Sequence, residues 1–350
     1  MILLREFSDY VCLPSVSIRA VLERINRTAH LFQLVVDTDG RLLGTVTDGD
    51  IRRAMLTGVG LDAPASVCMK TQPLTGRIGE TAKNFEKLGG IGSTRRFLPI
   101  LDDQSRVAEL FIGSKGDLGI ATALVMAGGF GKRLGERTKC TPKPLLQVGG
   151  RPILDRVISA LEDSGVPSIT LSVHYLSEQI YDFVSARDNR AHIHFVEETQ
   201  PLGTAGALGL VKDIERSPVL VVNGDVLTGC DFVALHDFHM RHGLDGTIGV
   251  TRYDVDVPYG VIRQDEEGFF AGIEEKPRIS NFVAGGVYYL SPAFLALVPL
   301  GRPFDMPELL NSGREIGLRI GLFPIHEYWT DVGHPEDLEA ADAHHRVDNE

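Results

Sequence analysis

The chain has no long apolar run. None of its 350 residues belongs to a stretch near the roughly 20 apolar residues that a bilayer-spanning helix needs, so no such helix is expected. It also has no paired cysteines. Cys12, Cys68, Cys140 and Cys230 lie far apart without Cys-x-x-Cys spacing, which argues against a zinc site and for free thiols in a reducing compartment. Positive charge is outnumbered, 35 Lys and Arg against 47 Asp and Glu, and the formal charge of −12 argues against a general nucleic-acid-binding role. Arg5, Glu6 and Asp9 interrupt any apolar leader, so the expected location is the cytoplasm.

Against that acidic background one segment is basic. Residues 132–143 contain Lys132, Arg133, Arg137, Lys139 and Lys143 against Glu136 alone. They follow an apolar strand, Ala123 to Ala127, and a turn containing Gly128, Gly129 and Gly131. Glycines let a backbone turn wrap closely around a ligand with its N–H groups pointing inward, a nest suited to phosphate oxygens. Pro142 and Pro144 bracket Lys143 and stiffen its backbone. No Gly-Lys-Ser/Thr follows, so this is not a Walker loop. No third glycine stands where a dinucleotide fingerprint needs one.

The segment resembles the signature loop of the sugar-1-phosphate nucleotidyltransferases, G-G-x-G-x-R-L-x(8)-P-K-P, and further motifs of that family follow in order over residues 121–345. The resemblance implies a mixed, mostly parallel, Rossmann-like α/β sheet flanked by helices, occupying residues 120–350. Alternating strands and helices after residue 120 lead independently to a mostly parallel sheet. Strands are expected at Ile169–Val173, His192–Val196 and Val219–Val222, and helices at Arg151–Asp163 and Gly203–Glu215. Ligands of such sheets bind at the carboxyl ends of the strands. Asn223-Gly224-Asp225 stands at such an end, and a carboxylate there is costly unless a cation or donors pair with it.

Residue by residue, the resemblance implies the following roles. Ala127, Gly128, Gly129, Gly131, Gln200, Gly203, Thr204 and Asn223 bind the nucleotide. Arg133 and Lys143 serve catalysis. Asp225, with Asp331 in Tyr-Trp-Thr-Asp-Val-Gly, holds Mg²⁺. Gly260 and the Glu275-Lys276-Pro277 element bind the sugar phosphate. Ala284 departs from the pattern, standing where relatives often carry Asn. His236, His239 and His242 recur at spacing three and read as a solvated helix face, without a carboxylate arrangement that would suit a metal.

Residues 1–115 show two similar halves. Gly44-Thr-Val-Thr-Asp-Gly-Asp-Ile-Arg52 resembles the G-x-h-T-x-x-D-h-R signature of cystathionine-β-synthase (CBS) motifs, which come in pairs and often bind an adenine nucleotide. Thr47 and Asp50 would then meet the ribose. The second half repeats the strand-turn-strand pattern at Phe97–Leu101 and Val107–Ile112, but its signature is weakened to Ser114 and Asp117, with Ala108 for the opening glycine. The module is expected to regulate or to dimerise, with the whole chain a homo-oligomer, and Gly113–Gly119 to link it to the second domain.

The implied reaction is sugar 1-phosphate + NTP → NDP-sugar + pyrophosphate, for surface-glycan synthesis. The Pro-Leu-Gly-Thr-Ala-Gly-Ala loop and a strand at Val257–Val261 look most like the guanylyltransferase branch, and the CBS pair resembles that of glucosamine-1-phosphate guanylyltransferases. GTP with glucosamine or mannose 1-phosphate is therefore favoured over UTP or dTTP. A nucleotide-sensing protein with an inactive transferase domain, and a glycosyltransferase, are the alternatives. The four charged motif residues argue against the first, and the absence of Asp-x-Asp at the metal strand against the second.

Overall fold

Strands after residue 120 assemble into one seven-stranded sheet. Its spatial order is His192–Glu197, Ser168–Val173, Thr122–Met126, Val219–Asn223, Arg278–Leu290, Gly246–Asp256 and Ile320–Pro324. Arg278–Leu290 runs against both of its neighbours and every other pairing is parallel. This is the mixed, mostly parallel sheet expected. The computed structural model describes residues 2–28, 30–89, 95–114, 119–211 and 217–347.

The central strand is apolar throughout because both of its faces are covered. Leu220 and Val222 point into a core shared with Ile153, Leu154, Ile158 and Phe232, while Val219 and Val221 point into a second core with Leu208, Phe294 and Leu309. Side chains alternate across a strand, so a strand between two cores has no polar face. Its carboxyl end emerges beside that of Thr122–Met126, with Asn223 paired to Met126, and this is where the glycine turn begins.

Residues 2–114 build two smaller sheets, Val11–Cys12 with Phe32–Val36 and Leu42–Thr47, and Ile2–Leu4 with Val107–Ser114, Arg95–Leu101 and Gly76–Arg77. The two hairpins turn alike. Asp37 Oδ1 accepts from the N–H groups of Asp39 and Arg41 at 2.9 and 2.8 Å, and Asp102 Oδ1 from those of Gln104 and Arg106 at 2.9 and 2.8 Å. Phe32 and Phe97 occupy corresponding places in the halves and stack at 3.8 Å. Thr47 caps the helix Asp48–Leu56 in a reciprocal box with Asp50. Asp117 and most of the expected linker lie outside the described residues.

Four details differ from the sequence reading. The helix expected from Arg151 begins at Ile153, because Arg151–Pro152 pairs with Gln147–Val148 as a short strand. The helix expected over Gly203–Glu215 is an α-turn, Gly203–Gly206, followed by a 3₁₀ turn, Ala207–Leu210; its expected end lies outside the described residues. Gly203, Gly206 and Gly209 weaken helix propagation there by about 1 kcal/mol each. Val257–Val261 is not one strand. Gly246–Asp256 ends before it and Val261–Gln264 begins at its last residue.

The fourth correction concerns the histidines. His236 and His239 are buried, not solvated. The helix Phe232–His242 lays them against Tyr289, with ring centroids 5.5 and 4.8 Å away, and His239 Nδ1 lies 2.9 Å from Thr247 Oγ1. Both rings pack against Tyr289, and the Thr247 hydroxyl partners His239, whereas His236 Nδ1 is buried without a hydrogen-bond partner among the described residues.

Candidate active site

The glycine turn is shaped by contacts that leave no room for side chains. Gly131 has φ +63°, and a Cβ there would stand 2.8 Å from Thr138 Cγ2 and 3.1 Å from Lys143 Cβ. Thr138 ties the loop from beneath, its hydroxyl donating to the Gly131 carbonyl at 2.9 Å. Gly128 packs beside Glu198 and His174. Gly129 and Arg133 are exposed, as a loop meeting a ligand requires.

Three charged residues remote in sequence meet where this loop faces the strand ends. Lys143 is buried, and its Nζ donates to Asp225 Oδ2 at 2.6 Å and lies 3.7 Å from Asp331 Oδ1. Asp225 follows the central strand after one glycine. Asp331 arrives on Trp329–Asp331, which pairs antiparallel with Val226–Thr228 and places Val226 opposite Asp331. The Val332 N–H donates to the Asp225 carbonyl at 3.1 Å, tying the two carboxylate-bearing segments together.

Burial raises the Asp331 pKa above the ordinary carboxylate value; the neighbouring Asp225 adds to this, and Lys143 and Arg133 oppose it. Asp331 Oδ1 is buried and accepts no hydrogen bond, and Asn223 Oδ1 is in the same position. An unsatisfied carboxylate oxygen facing a second carboxylate suits a hard divalent cation. Among the described residues no cluster of three or more His, Cys, Asp and Glu side chains could hold a metal. A two-carboxylate pair completed by phosphate oxygens and water is nevertheless what magnesium commonly takes. The nucleotidyltransferases that the signature loop resembles generally use divalent metal ions.

Around this centre the expected residues fall into three groups. Arg133 lies against Gly333, 3.4 Å from the place of a Cβ, with its Nη1 3.5 Å from His334 Nε2, so it stands beside the Asp331 segment. Asn223 packs on Gly286 of the neighbouring strand, and Trp329 Nε1 donates to the Gly285 carbonyl at 2.8 Å. Gln200, Gly203 and Thr204 form a second group against residues 301–306. There the Thr204 hydroxyl accepts from the Met306 N–H at 2.8 Å, and Asp305 Oδ1 accepts from the Thr204 N–H at 3.0 Å. Gly203 has φ +77°, and any Cβ would strike Asp305 Oδ1 at 2.5 Å.

The third group belongs to a hairpin and to the N-terminal unit. Glu275 and Lys276 are exposed at the base of the hairpin formed by Val261–Gln264 and Phe270–Glu274, with Gly260 packed beside Glu275. Thr47 and Asp50 belong to the N-terminal unit and bond to each other, hydroxyl to carboxylate, at 2.7 Å. They line an open cavity of about 570 Å³ whose other side is formed by Asp237, Arg241 and His242 of the transferase-like unit.

Sequence reasoning missed Glu198 and Asp305. Glu198 is buried, accepts from the Leu202 N–H at 2.8 Å and from the Ser172 hydroxyl, and so joins the strand Ser168–Val173 to the 200–207 loop beside Gly128. Its only sequence signal is a charge at the end of a strand, which surface residues share.

Residues 122–347 match the family model described as Nucleotidyl transferase, and residues 7–57 match that of the CBS domain. The mannose-1-phosphate guanylyltransferase catalytic subunit beta of Drosophila pseudoobscura pseudoobscura is 34% identical over 223 residues, covering 62% of this chain and 60% of its own length. The mannose-1-phosphate guanyltransferase of Schizosaccharomyces pombe is 35% identical over 224 residues, 61% of each chain. The chain thus spans about three fifths of the length of these curated relatives. Among solved structures, HddC from Yersinia pseudotuberculosis complexed with GMP-PN aligns with a TM-score of 0.52 at 29% identity, over 64% of this chain and 99% of that one. Because the match to the Nucleotidyl transferase model runs over residues 122–347, more than half of the chain, this chain belongs to the nucleotidyl transferase family.

Proposed function

We propose that the protein is a guanylyltransferase that joins the GMP moiety of GTP to a sugar 1-phosphate, mannose or glucosamine 1-phosphate, and releases pyrophosphate. One observation carries the reading: Lys143, packed against Gly131 of the glycine turn, reaches both Asp225 and Asp331 beside the carboxyl end of the central strand. The names of the curated relatives and the GMP-PN complex of HddC support guanine over uracil or thymine.

The sugar phosphate oxygen attacks the α-phosphorus in line with the departing pyrophosphate. No covalent link to the protein forms, so catalysis is positioning and charge stabilisation. Backbone N–H groups of residues 128–131 and the Arg133 guanidinium hold the β- and γ-phosphates. Lys143, tethered to Asp225 without substrate, turns its ammonium to the α-phosphate and the incoming phosphate. Asn223, with a buried and unpartnered side-chain oxygen, meets the nucleoside; Gln200 at its exposed position reads the base. Gly260, Glu275 and Lys276 meet the sugar phosphate from the hairpin base. Asp225 and Asp331 hold Mg²⁺, which supplies Lewis-acid neutralisation of the phosphate charge when bound.

Residues 1–115 act as a CBS pair that modulates this centre and residues 120–350 as the catalytic domain. The cavity between Thr47, Asp50 and Arg241 takes an adenine nucleotide. The test is pyrophosphate release across four NTPs and a series of sugar 1-phosphates. GTP with mannose or glucosamine 1-phosphate is the expected pair. Release only with UTP or dTTP, or with none, overturns the reading.

A further inference from the structure

Arg52 is the largest fully buried side chain of the described residues, with no exposed surface. It belongs to the helix Asp48–Leu56 of the N-terminal unit, yet most of its partners lie in the other unit. Its Nε donates to Asp48 Oδ2 at 2.6 Å and its Nη2 to Glu327 Oε1 at 2.8 Å; Nη1 donates to the Pro324 carbonyl. The guanidinium lies 3.8 Å above the centre of the Phe323 ring. His326 completes the cluster, its Nε2 3.6 Å from both Asp48 Oδ1 and Glu327 Oε1. Burial opposes the Arg52 charge and the two carboxylates overcome that, so its pKa lies above the ordinary value. Removing either carboxylate leaves a buried cation short of a partner, an expensive state.

The segment gripped in this way runs directly into the candidate metal site. Pro324 ends the edge strand of the large sheet, and Glu327 stands four residues before Asp331. Between them Ile325 donates to the Val250 carbonyl at 2.7 Å and the Tyr328 carbonyl accepts from Gly229 at 2.8 Å. The chain has little slack from the Arg52 cluster to the Trp329–Asp331 strand. On the other side, Arg52 is two residues beyond Asp50, which lines the cavity between the units.

We infer that Arg52 is a positioning residue for the transfer reaction: through Glu327 and the Pro324 carbonyl it fixes the 324–331 segment and so sets where the Asp331 carboxylate stands relative to Asp225. This rests on the reading of Asp225 and Asp331 as metal ligands. It makes the N-terminal unit a structural part of the metal site, and the helix that begins at the cavity becomes the route by which a ligand there reaches that site.

The test uses the full chain with Mn²⁺ alone, its free concentration read by electron paramagnetic resonance, beside melting temperature and steady-state kinetics. Glu327→Gln keeps the shape and the Arg52–Asp48 pair. Arg52→Lys keeps the charge but loses the fork. Val46→Ala, in the core of the N-terminal unit, lowers stability without touching the cluster. The expected result is Mn²⁺ affinity weakened by about fivefold to tenfold in both cluster variants, the size of a modest site–site coupling. kcat falls with it, KM for the sugar phosphate holds, and Val46→Ala leaves Mn²⁺ affinity at the wild-type value. Unchanged Mn²⁺ affinity in the two cluster variants, or an equal loss in Val46→Ala, overturns the positioning role. Asp331→Asn separates the two readings: if it binds Mn²⁺ as the wild type does, the metal assignment itself fails. If it loses Mn²⁺ while the cluster variants do not, only the role of Arg52 fails.

Discussion

Lys143 Nζ donates to Asp225 Oδ2 across 2.6 Å, from a side chain that is buried. The ammonium neutralises one of two facing carboxylates, which otherwise repel in a partly desolvated place. On the proposed mechanism a divalent cation and substrate phosphates bring their own charges to this place, and the lysine then swings away from Asp225 as they arrive.

That exchange separates two effects of Lys143→Met. Turnover is expected to fall by about two orders of magnitude or more, the scale of one lost preorganised contact to developing charge. Binding of Mn²⁺ alone is expected to tighten by about tenfold, because the cation no longer competes with an ammonium for Asp225. Titration of the variant with Mn²⁺, beside single-turnover kinetics, checks both. Weaker Mn²⁺ binding would mean that the lysine supports the metal site instead of guarding it.

Asp225→Asn isolates the other partner. The amide keeps the shape and loses the charge that a hard cation needs. Loss of Mn²⁺ binding with an unchanged circular dichroism spectrum is expected, and activity at ordinary Mg²⁺ concentrations should vanish. Substantial residual activity would place the metal elsewhere.

Gly131→Ala tests the turn. The left-handed backbone costs a non-glycine residue about 1–2 kcal/mol. The new methyl would also overlap Thr138 Cγ2 at 2.8 Å and press on Lys143 Cβ at 3.1 Å. A lower melting temperature is expected, together with a kcat loss of about a hundredfold, since small displacements of a positioned group have that effect. A variant that melts lower but keeps its kcat would show that the turn only supports the fold.

How much of this was legible in the sequence depends on how local each signal is. The run Val219–Val222 read as a strand buried on both faces, and two cores do cover it. The glycine turn is contiguous, so its spacing was enough to find it, whereas the capping box of Thr47 and Asp50 emerged only in the structure. Lys143, Asp225 and Asp331 come from three distant segments, and composition could not join them; only the family resemblance did. Arg52 was visible as the last letter of a motif, but nothing in that motif tells that Glu327 lies 275 residues away in sequence and 2.8 Å away in space. The histidines misled because spacing three describes a helix face without saying whether that face meets water or Tyr289.

The buried histidine gives a pH signature that owes nothing to catalysis. Burial, reinforced by His236, lowers the His239 pKa from 6.5 to about 4. An unfolded chain takes up that proton near pH 6.5, whereas the folded chain resists until about pH 4. Between those values the unfolded state binds more protons, so stability is lost as pH falls through this window. Asp48 and Glu162 act in a lower window: their pKa values lie at about 2 despite burial, Asp48 held down by Arg52 and Glu162 by Arg187, so their contributions are lost only as pH falls below about 4. His239→Gln replaces the ring with a non-titrating amide that can still reach Thr247. Its urea midpoint is expected to vary less between pH 6.5 and 4 than the wild type's, with both chains losing stability alike at lower pH. Parallel curves across the upper window would mean that His239 is protonated in the fold and that its burial against Tyr289 does not govern the transition.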